Sequence, residues 1–232
     1  MTTLLQPKPI QFKFGEYLNK GFELFKKDMG TFILAIIYSI IMSFIPFVGG
    51  FLAMGNFMKL ARKINYGQQA SATEIFNFDN FTVYLKLFGI VFLGVIALEI
   101  PLLLLIPKLD QQELGNSPEF PIGVFIFMIV FMVVLFYFIL KAYYMLGLIA
   151  LENVKSIKEA WNISKEMTKG NLLMLFLFAI LTSFIGQIGI IACGIGLLIS
   201  LPLVYVIQYS SYEDGIQQIK VDELEEIGKI SE

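Results

Sequence analysis

Apolar residues dominate this chain in six long runs, which shorter polar stretches separate. A bilayer-spanning helix takes about 20 predominantly apolar residues, and the third and fourth runs reach that length; the fourth consists almost entirely of Ile, Val, Phe, Met and Leu, and the third also carries Lys86, Glu99 and Pro101. The others are shorter, or contain Pro, Gly or polar side chains. The pattern predicts an all-α, polytopic integral membrane protein whose single membrane domain covers residues 12–212. The six predicted spans are residues 31–46, 47–64, 82–106, 122–142, 171–187 and 190–212.

The first and last pairs of runs form a helical hairpin that the chain makes twice. Each copy has a charged amphipathic segment, an apolar run, a break at Pro or Gly and a second apolar run. This order predicts a duplicated hairpin, although its arms are short enough that tilting, local thinning of the bilayer or re-entry stays open. At an offset of 140 positions, Gly170 aligns with Gly30, Ser183-Phe184-Ile185 with Ser43-Phe44-Ile45, and Gly189 with Gly49.

The two amphipathic segments cover residues 12–29 and 152–170. In the first, Phe14, Leu18 and Phe22 recur at the spacing of one helix face, with charged residues between them. In the second, Trp161 is placed as an interfacial anchor would be. Both segments are typical of helices that lie in the headgroup plane, and packing of the first against other protein is an equal alternative.

Composition and charge support lipid as the main solvent. Apolar residues make up 57% of the chain and the mean hydropathy is +0.75, whereas soluble domains have about 45–50% apolar residues. Of the 17 Lys and Arg residues, only Lys108 lies in a loop that six alternating spans place outside. The positive-inside rule therefore predicts cytoplasmic termini. Residues 1–11 read as a flexible N-terminus without a signal-peptide core, and residues 213–232 as a soluble acidic tail.

The residue types that most catalytic sites need are missing. The chain has no histidine, and Cys193 is its only cysteine, which we interpret as a small residue at a tight helix contact. No phosphate-binding loop, zinc-protease motif or nucleophile elbow occurs. We therefore expect no enzyme activity, metal or cofactor. A net charge of −2 also argues against nucleic acid as a partner.

Three polar residues in apolar runs form a candidate ion or polar site: Glu99, Asn56 and Lys141. An ionisable group inside a spanning helix is costly unless it is paired or hydrated, so Glu99 could bind a proton or a cation. The structural alternatives are a solvated Glu99 near the outer headgroups, an Asn56 that hydrogen-bonds neighbouring helices, and a Lys141 that reaches the inner surface. Candidate contacts to lipid headgroups are Lys155, Lys158, Trp161, Lys165 and Lys169, and Lys141 could bind anionic lipid together with these lysines.

Residues 149–170, IALENVKSIKEAWNISKEMTKG, precede a Gly-broken apolar pair with Pro202 and a closing Tyr209-Ser-Ser-Tyr212. This stretch resembles bacterial multi-pass inner-membrane proteins of the YciC-type family and the membrane region of some glycerophosphodiester phosphodiesterases. The resemblance covers the last third of the chain well and the rest in layout. It implies a six-helix module of the bacterial inner (cytoplasmic) membrane. Since the chain has no phosphodiesterase domain, it implies no catalytic activity.

Two functions follow from these patterns. The first is a non-catalytic membrane module that binds lipid, a partner membrane protein or a second copy of this chain. The alternative is a small transporter or channel built from parallel hairpin repeats, with Glu99 as the ion or proton site. A lipid-modifying enzyme within the membrane would need a cluster of polar catalytic groups that the sequence lacks.

Overall fold

The computed structural model describes residues 4–105, 122–191 and 194–221, and in this part of the chain the fold is helical apart from two short strands. The predicted all-α class is confirmed to that extent. Lys108, Cys193 and the residues from 222 onward, on which several predictions fall, lie outside the described ranges. The elements are β1 (Leu4–Leu5), α1 (Phe14–Lys27), α2 (Met29–Ser43), α3 (Gly49–Asn65), a 3-10 helix (Ala72–Phe76), α4 (Phe81–Leu105), α5 (Ile122–Lys141), α6 (Met145–Leu151), α7 (Ile157–Met167), α8 (Leu172–Ile191), α9 (Leu197–Ile219) and β2 (Lys220–Val221).

Two segments of the described residues have the length and apolar composition needed to cross a membrane. One is Phe125–Leu151, which runs from α5 into α6, and the other is Leu172–Ile190 in α8. Only 11% of the most apolar window of the first and 22% of that of the second are buried inside the protein. Met29–Ser43 and Phe81–Ala97 are apolar but shorter. The fold therefore contains two candidate membrane helices, and the six predicted spans are not confirmed.

The first hairpin, α2 and α3, is short for a bilayer. The 15 residues of α2 rise about 22 Å, less than a hydrocarbon core of about 30 Å. In α3 the last two turns carry Lys59, Arg62 and Lys63, which shortens its apolar part further. Buried residues occur along the whole length of α3, because α2, α6, α9 and the 3-10 helix pack around it. In the described part of the chain, α3 is therefore a central core helix.

The second hairpin bends later than the sequence predicts. The helix α8 continues through Gly186 and Gly189, and the turn comes at Gly194, whose φ of +81° lies in the left-handed region that glycine adopts without strain. A Cβ on Gly189 would lie 2.6 Å from the backbone carbon of Gly196, so this glycine allows α8 to approach the start of α9. Its counterpart Gly49 would collide with a backbone carbonyl in the same way. The aligned glycines thus permit close backbone contact in both hairpins.

The hydrophobic core lies where α1, α3, α6 and α9 meet. The helix α1 lies on α9, and α9 also packs against α2, α3 and α8. Aromatic side chains fill much of this space, whereas α4 and α5 contact their neighbours at few points and expose most of their apolar side chains. The largest side chains with almost no exposed surface include Tyr17, Tyr84, Tyr144, Tyr209, Tyr212, Phe32, Phe57 and Phe178.

Both ends of the described chain are more ordered than the sequence predicts. The helix α9 continues seven residues past position 212, and Glu213, Ile216 and Ile219 are buried, so a soluble tail cannot begin at Glu213. At the other end Leu4 pairs with Val221 in the β1–β2 ladder, and Ile10 is buried. The prediction of a flexible segment over residues 1–11 is therefore wrong from Leu4 onward. Both segments are fixed by each other, a long-range contact that no local pattern reveals.

Candidate functional site

Ion pairs and hydrogen bonds close one end of the helix assembly, and we call this set of side chains the polar layer. It joins α1, α3, α9 and the loop after α6, which are distant in sequence. Each of its three carboxylates, which are buried or half-buried, has a cationic partner. The members are Lys13, Tyr17, Lys20, Arg62, Tyr66, Glu152, Tyr209, Glu213, Asp214, Gln217, Gln218 and Lys220.

Arg62 is the centre of the polar layer. Its Nη2 donates to Glu152 Oε1 at 2.7 Å and to Glu213 Oε2 at 2.9 Å, and its Nε donates to the same Glu213 oxygen at 3.1 Å. Its Nη1 donates to the carbonyl oxygen of Leu151 at 3.2 Å. The planar guanidinium suits such a fork of acceptors, which a lysine could not satisfy. Arg62 thereby links α3 to both α6 and α9.

Glu213 is saturated with donors. Besides Arg62, it accepts hydrogen bonds from Tyr66 Oη at 2.7 Å, from Gln217 Nε2 at 3.0 Å and from Tyr209 Oη at 3.2 Å. Burial alone would raise the pKa of Glu213, but the Arg62 charge and the donated hydrogen bonds outweigh it, and the net pKa lies below the ordinary value. Glu213 is thus held as a carboxylate at neutral pH.

The neighbouring residue Asp214 ties α1 to α9. It accepts from Tyr17 Oη at 3.0 Å and from Gln218 Nε2 at 2.8 Å, and Lys13 Nζ and Lys20 Nζ lie 3.3 and 3.4 Å from its Oδ1. Burial raises its pKa, whereas the hydrogen bonds from Gln218, Tyr17 and Lys13 lower it more, so the net pKa is below the ordinary value. Successive carboxylates on α9 therefore serve two different helices.

The structure does not bring the predicted polar set together. Asn56 is buried and its Nδ2 donates to the carbonyl oxygens of Ile75 at 2.8 Å and Asn77 at 2.6 Å, which fixes α3 to the 3-10 helix and its exit. Glu99 is exposed on α4, 18 residues or about 27 Å of helical rise from Phe81. Lys141 ends α5. These positions favour the helix-linking interpretation of Asn56 and give no shared ion site.

The predicted headgroup contacts lie on or next to α7. Lys155, Lys158, Lys165 and Lys169 are exposed, and the ring of the half-buried Trp161 packs against Phe138 at the end of α5, with 6.0 Å between ring centroids. Lys155 Nζ donates a hydrogen bond to Asn80 Oδ1, and Lys169 Nζ lies 3.3 Å from Glu166 Oε2 in an ion pair. Ser156 caps the N-terminus of the helix, and its Oγ accepts from the backbone N–H of Glu159. The exposed side chains of Lys158 and Lys165 remain available to anions in solution or in a lipid surface.

A large groove separates α5 from α8, and we call it the α5–α8 groove. Its volume is about 980 Å³, and its walls are almost entirely apolar. Leu140 and Leu172 stand at one end, Phe125 and Gln187 at the other, so each wall is 15 residues or about 22 Å long. The end at Leu140 adjoins Lys141 and the C-terminal part of α7. The α5–α8 groove thus has apolar walls and ends beside basic side chains.

Sequence reasoning missed the polar layer and the groove. Glu213 and Asp214 were predicted to begin an acidic tail, and Arg62 was counted only as one of the basic residues on the inner side. One signal could have been used: Tyr209 and Ser210 lie four positions before Glu213 and Asp214, which places each pair on one helix face if the last helix continues past residue 212. The partner of Glu213 lies 151 positions earlier in the chain, and no local pattern could identify it.

Comparisons of the chain with models of protein families, with curated proteins and with solved structures give no match. Within the described ranges, no three Asp, Glu, His or Cys side chains gather as ligands for a metal ion.

Proposed function

We propose that this chain is a non-catalytic, multi-pass membrane module that binds lipid. The observation that carries the proposal is the outward-facing apolar surface of α5 and α8, which have the length and composition of membrane helices and bury little of that surface in the protein. Contiguous exposed apolar surface of this extent needs lipid or another apolar partner around it. The polar layer at one end gives such a module a fixed cytoplasmic face.

The topology proposed here is that of a bacterial inner-membrane protein with both termini in the cytoplasm. Pairing of β1 with β2, together with the Gln11 to Gln218 hydrogen bonds, supports a common side for residues near both termini. The lysines and the one arginine of the polar layer lie at the same end, as the positive-inside rule requires of a cytoplasmic face. The likeness to the YciC-type family stays a prediction.

Single cysteines test this topology in whole cells. In a Cys193→Ser background, Phe47→Cys places a thiol in the turn between α2 and α3, and Ser156→Cys places one beside α7; both native residues are exposed. We expect a membrane-impermeant maleimide to label Phe47→Cys in intact cells and Ser156→Cys only after permeabilisation. Equal labelling of both variants in intact cells would contradict the proposed arrangement.

Lipid binding itself is tested on the purified wild-type chain. We expect extraction to require detergent, and native mass spectrometry from a mild detergent to show lipid molecules retained on the protein. A chain that stays dispersed without detergent, or that carries no lipid under these conditions, would overturn the proposed function.

The transporter alternative depends on the repeated order of amphipathic helix, apolar helix and returning helix, which occurs as α1–α2–α3 and α7–α8–α9. Its candidate site is Glu99. If this alternative is correct, proteoliposomes with the wild-type chain should show a proton or cation flux. The Glu99→Gln variant in the same proteoliposomes should show none. Unchanged flux in that variant, or no flux in the wild type, removes this alternative.

A further inference from the structure

Lys141 is a buried cation that directly follows Leu140, a side chain that lines one end of the α5–α8 groove. Only 7% of its surface is exposed. Its Nζ makes one long hydrogen bond, 3.5 Å to the carbonyl oxygen of Lys165, and lies 6.0 Å from the centre of the Tyr137 ring. It forms no salt bridge with any residue in the described ranges. A buried ammonium that has no carboxylate of the described residues within ion-pair distance is costly, so this position favours an anion from outside the chain.

The charges around Lys141 favour the same kind of ligand. The side chains that act on it electrostatically are Lys165 and Lys169, which repel it, and Glu166, which attracts it. With Lys141 included, the cluster has a net charge of +2. The N-terminus of α8 begins three residues after Lys169, and the positive end of its dipole adds to the field. Together these groups form an anion-attracting corner at the inner end of the α5–α8 groove.

The groove supplies the apolar half of a binding site. At about 980 Å³ it lies at the upper end of the roughly 300–1,000 Å³ range of ligand pockets. Its length of about 22 Å exceeds the roughly 15 Å depth of one leaflet, half of a core of about 30 Å. It lies between the two candidate membrane helices, where acyl chains are the available apolar molecules. A free anion would leave this space unfilled.

We infer that the α5–α8 groove binds the acyl chains of an anionic phospholipid whose phosphate contacts Lys141, with Lys165 and Lys169 beside it. This inference rests on the proposed function and specifies its site. It explains why a lysine, rather than an apolar residue, ends α5 in a buried position. Zwitterionic phospholipids carry a compensating cation next to the phosphate, so the site prefers lipids with net negative charge.

The experiment measures retention of phosphatidylglycerol and of phosphatidylcholine by the detergent-solubilised chain, using native mass spectrometry at increasing lipid concentration. We expect the wild type to bind phosphatidylglycerol about tenfold more tightly, because its net negative charge faces Lys141, Lys165 and Lys169, whereas the choline cation of phosphatidylcholine offsets its phosphate; one basic residue near an anionic lipid surface contributes about 1 kcal/mol. Lys141→Gln should lose this preference, and Lys141→Arg should keep it. Ala179→Phe, which narrows the groove midway along α8, should weaken the binding of both lipids.

Lys158→Gln is the matched control, because it removes one positive charge from an exposed site on the same helix as Lys165. It should change the preference by less than about twofold, as exposed charges contribute little. If wild type binds lipid but Lys141→Gln and Ala179→Phe bind it equally well, the site is wrong while the proposed function stands. If inorganic phosphate displaces the lipid at concentrations comparable to those of the lipid, the acyl groove contributes nothing and the inference fails. If the wild type binds no lipid, the proposed function fails as well.

Discussion

Two sides of this molecule are held together by different forces. Around α3 and α9, directional contacts fix each helix: Arg62 bridges two carboxylates, Asp214 holds α1, and Asn56 holds the 3-10 helix. Between α5 and α8, contacts are few and apolar, and a groove of about 980 Å³ separates them, although α8 also packs along α9. The first side carries its stabilising partners within the chain, whereas the apolar side chains of α5 find few partners in the described residues.

This difference teaches where substitutions should matter. A residue in the polar layer acts through named partners, so its loss leaves buried groups unsatisfied. A residue on the outer surface of α5 is exposed and has few partners within the chain, so its loss changes little. The stability of the protein against unfolding in a mild detergent tests this contrast in four ways.

The largest effect should come from Arg62→Met. The variant leaves Glu213 buried without a cation, while Glu152 keeps Lys220 at 3.1 Å. Breaking a buried pair by removing one partner costs about 3–5 kcal/mol, so we expect the free energy of unfolding to fall by an amount in that range. Lys59→Met, one turn earlier on α3, removes a pair with Asp79, which is 66% exposed, and should change stability by less than about 1 kcal/mol. Equal effects would contradict a central role for Arg62.

A smaller effect is expected from Gly21→Ala, where α1 crosses α9. A Cβ at this position would lie 2.8 Å from the Cα of Ile207, so one helix must shift. Overpacking of this kind costs about 1–3 kcal/mol. Gly15→Ala on the same helix meets nothing within 4 Å and should be neutral or stabilising by about 0.5–1 kcal/mol through helix propensity. Thermal unfolding of the two variants measures the difference, and destabilisation by both would refute close packing as the cause.

An effect of acid on the stability of the polar layer should come third in size. The pKa values of Glu213 and Asp214 lie below their ordinary values of 4.5 and 3.8. Carboxylates shifted in this direction stabilise the fold fully above those ordinary values, and the contribution is lost as pH falls through the lowered pKa values. We therefore expect the unfolding temperature to drop below pH 4.5. The double variant Glu213→Gln, Asp214→Asn should be less stable at neutral pH and should show a shallower acid dependence; an identical dependence would assign the effect to other groups.

The smallest effect should come from Val133→Ala on the outward surface of α5. Val133 is 64% exposed, so truncation leaves no cavity and should change the free energy of unfolding by less than about 0.5 kcal/mol. Leu148→Ala on α6 removes a fully buried side chain and should cost about 2–5 kcal/mol. If Val133→Ala is as destabilising as Leu148→Ala, α5 is packed against protein and the contrast between the two sides is wrong.

The parts of the fold that follow from local pattern were predictable. The apolar runs predicted α5 and α8, and the polar-apolar alternation predicted α1 and α7 within a few residues of their observed ends. Lipid and helix packing impose these patterns locally, and each can be recognised within one or two dozen residues. The bend after α8 was misplaced because glycine serves both turns and close helix contacts.

The candidate site was less predictable, because its parts meet only in three dimensions. Lys141 was identified from its apolar surroundings, but its position beside a groove depends on the angle between α5 and α8. Glu99 attracted attention as a charge in an apolar run, yet it lies apart from Asn56 and Lys141. Arg62 and Glu213 each looked ordinary, and only their contact gives them a role.

Pairing between the two ends of the described chain has a consequence for biosynthesis. The backbone N–H of Gln11 donates to the side-chain oxygen of Gln218, 207 positions later, and β1 pairs with β2 beside this hydrogen bond. A ribosome has therefore made nearly all of the chain before the early segment acquires its partner. Until then α1 has no α9 to lie on, and its apolar face lacks its partner. Closure of the polar layer is thus a late step in assembly, and truncation before α9 should leave the nascent protein open to proteases at its N-terminal end.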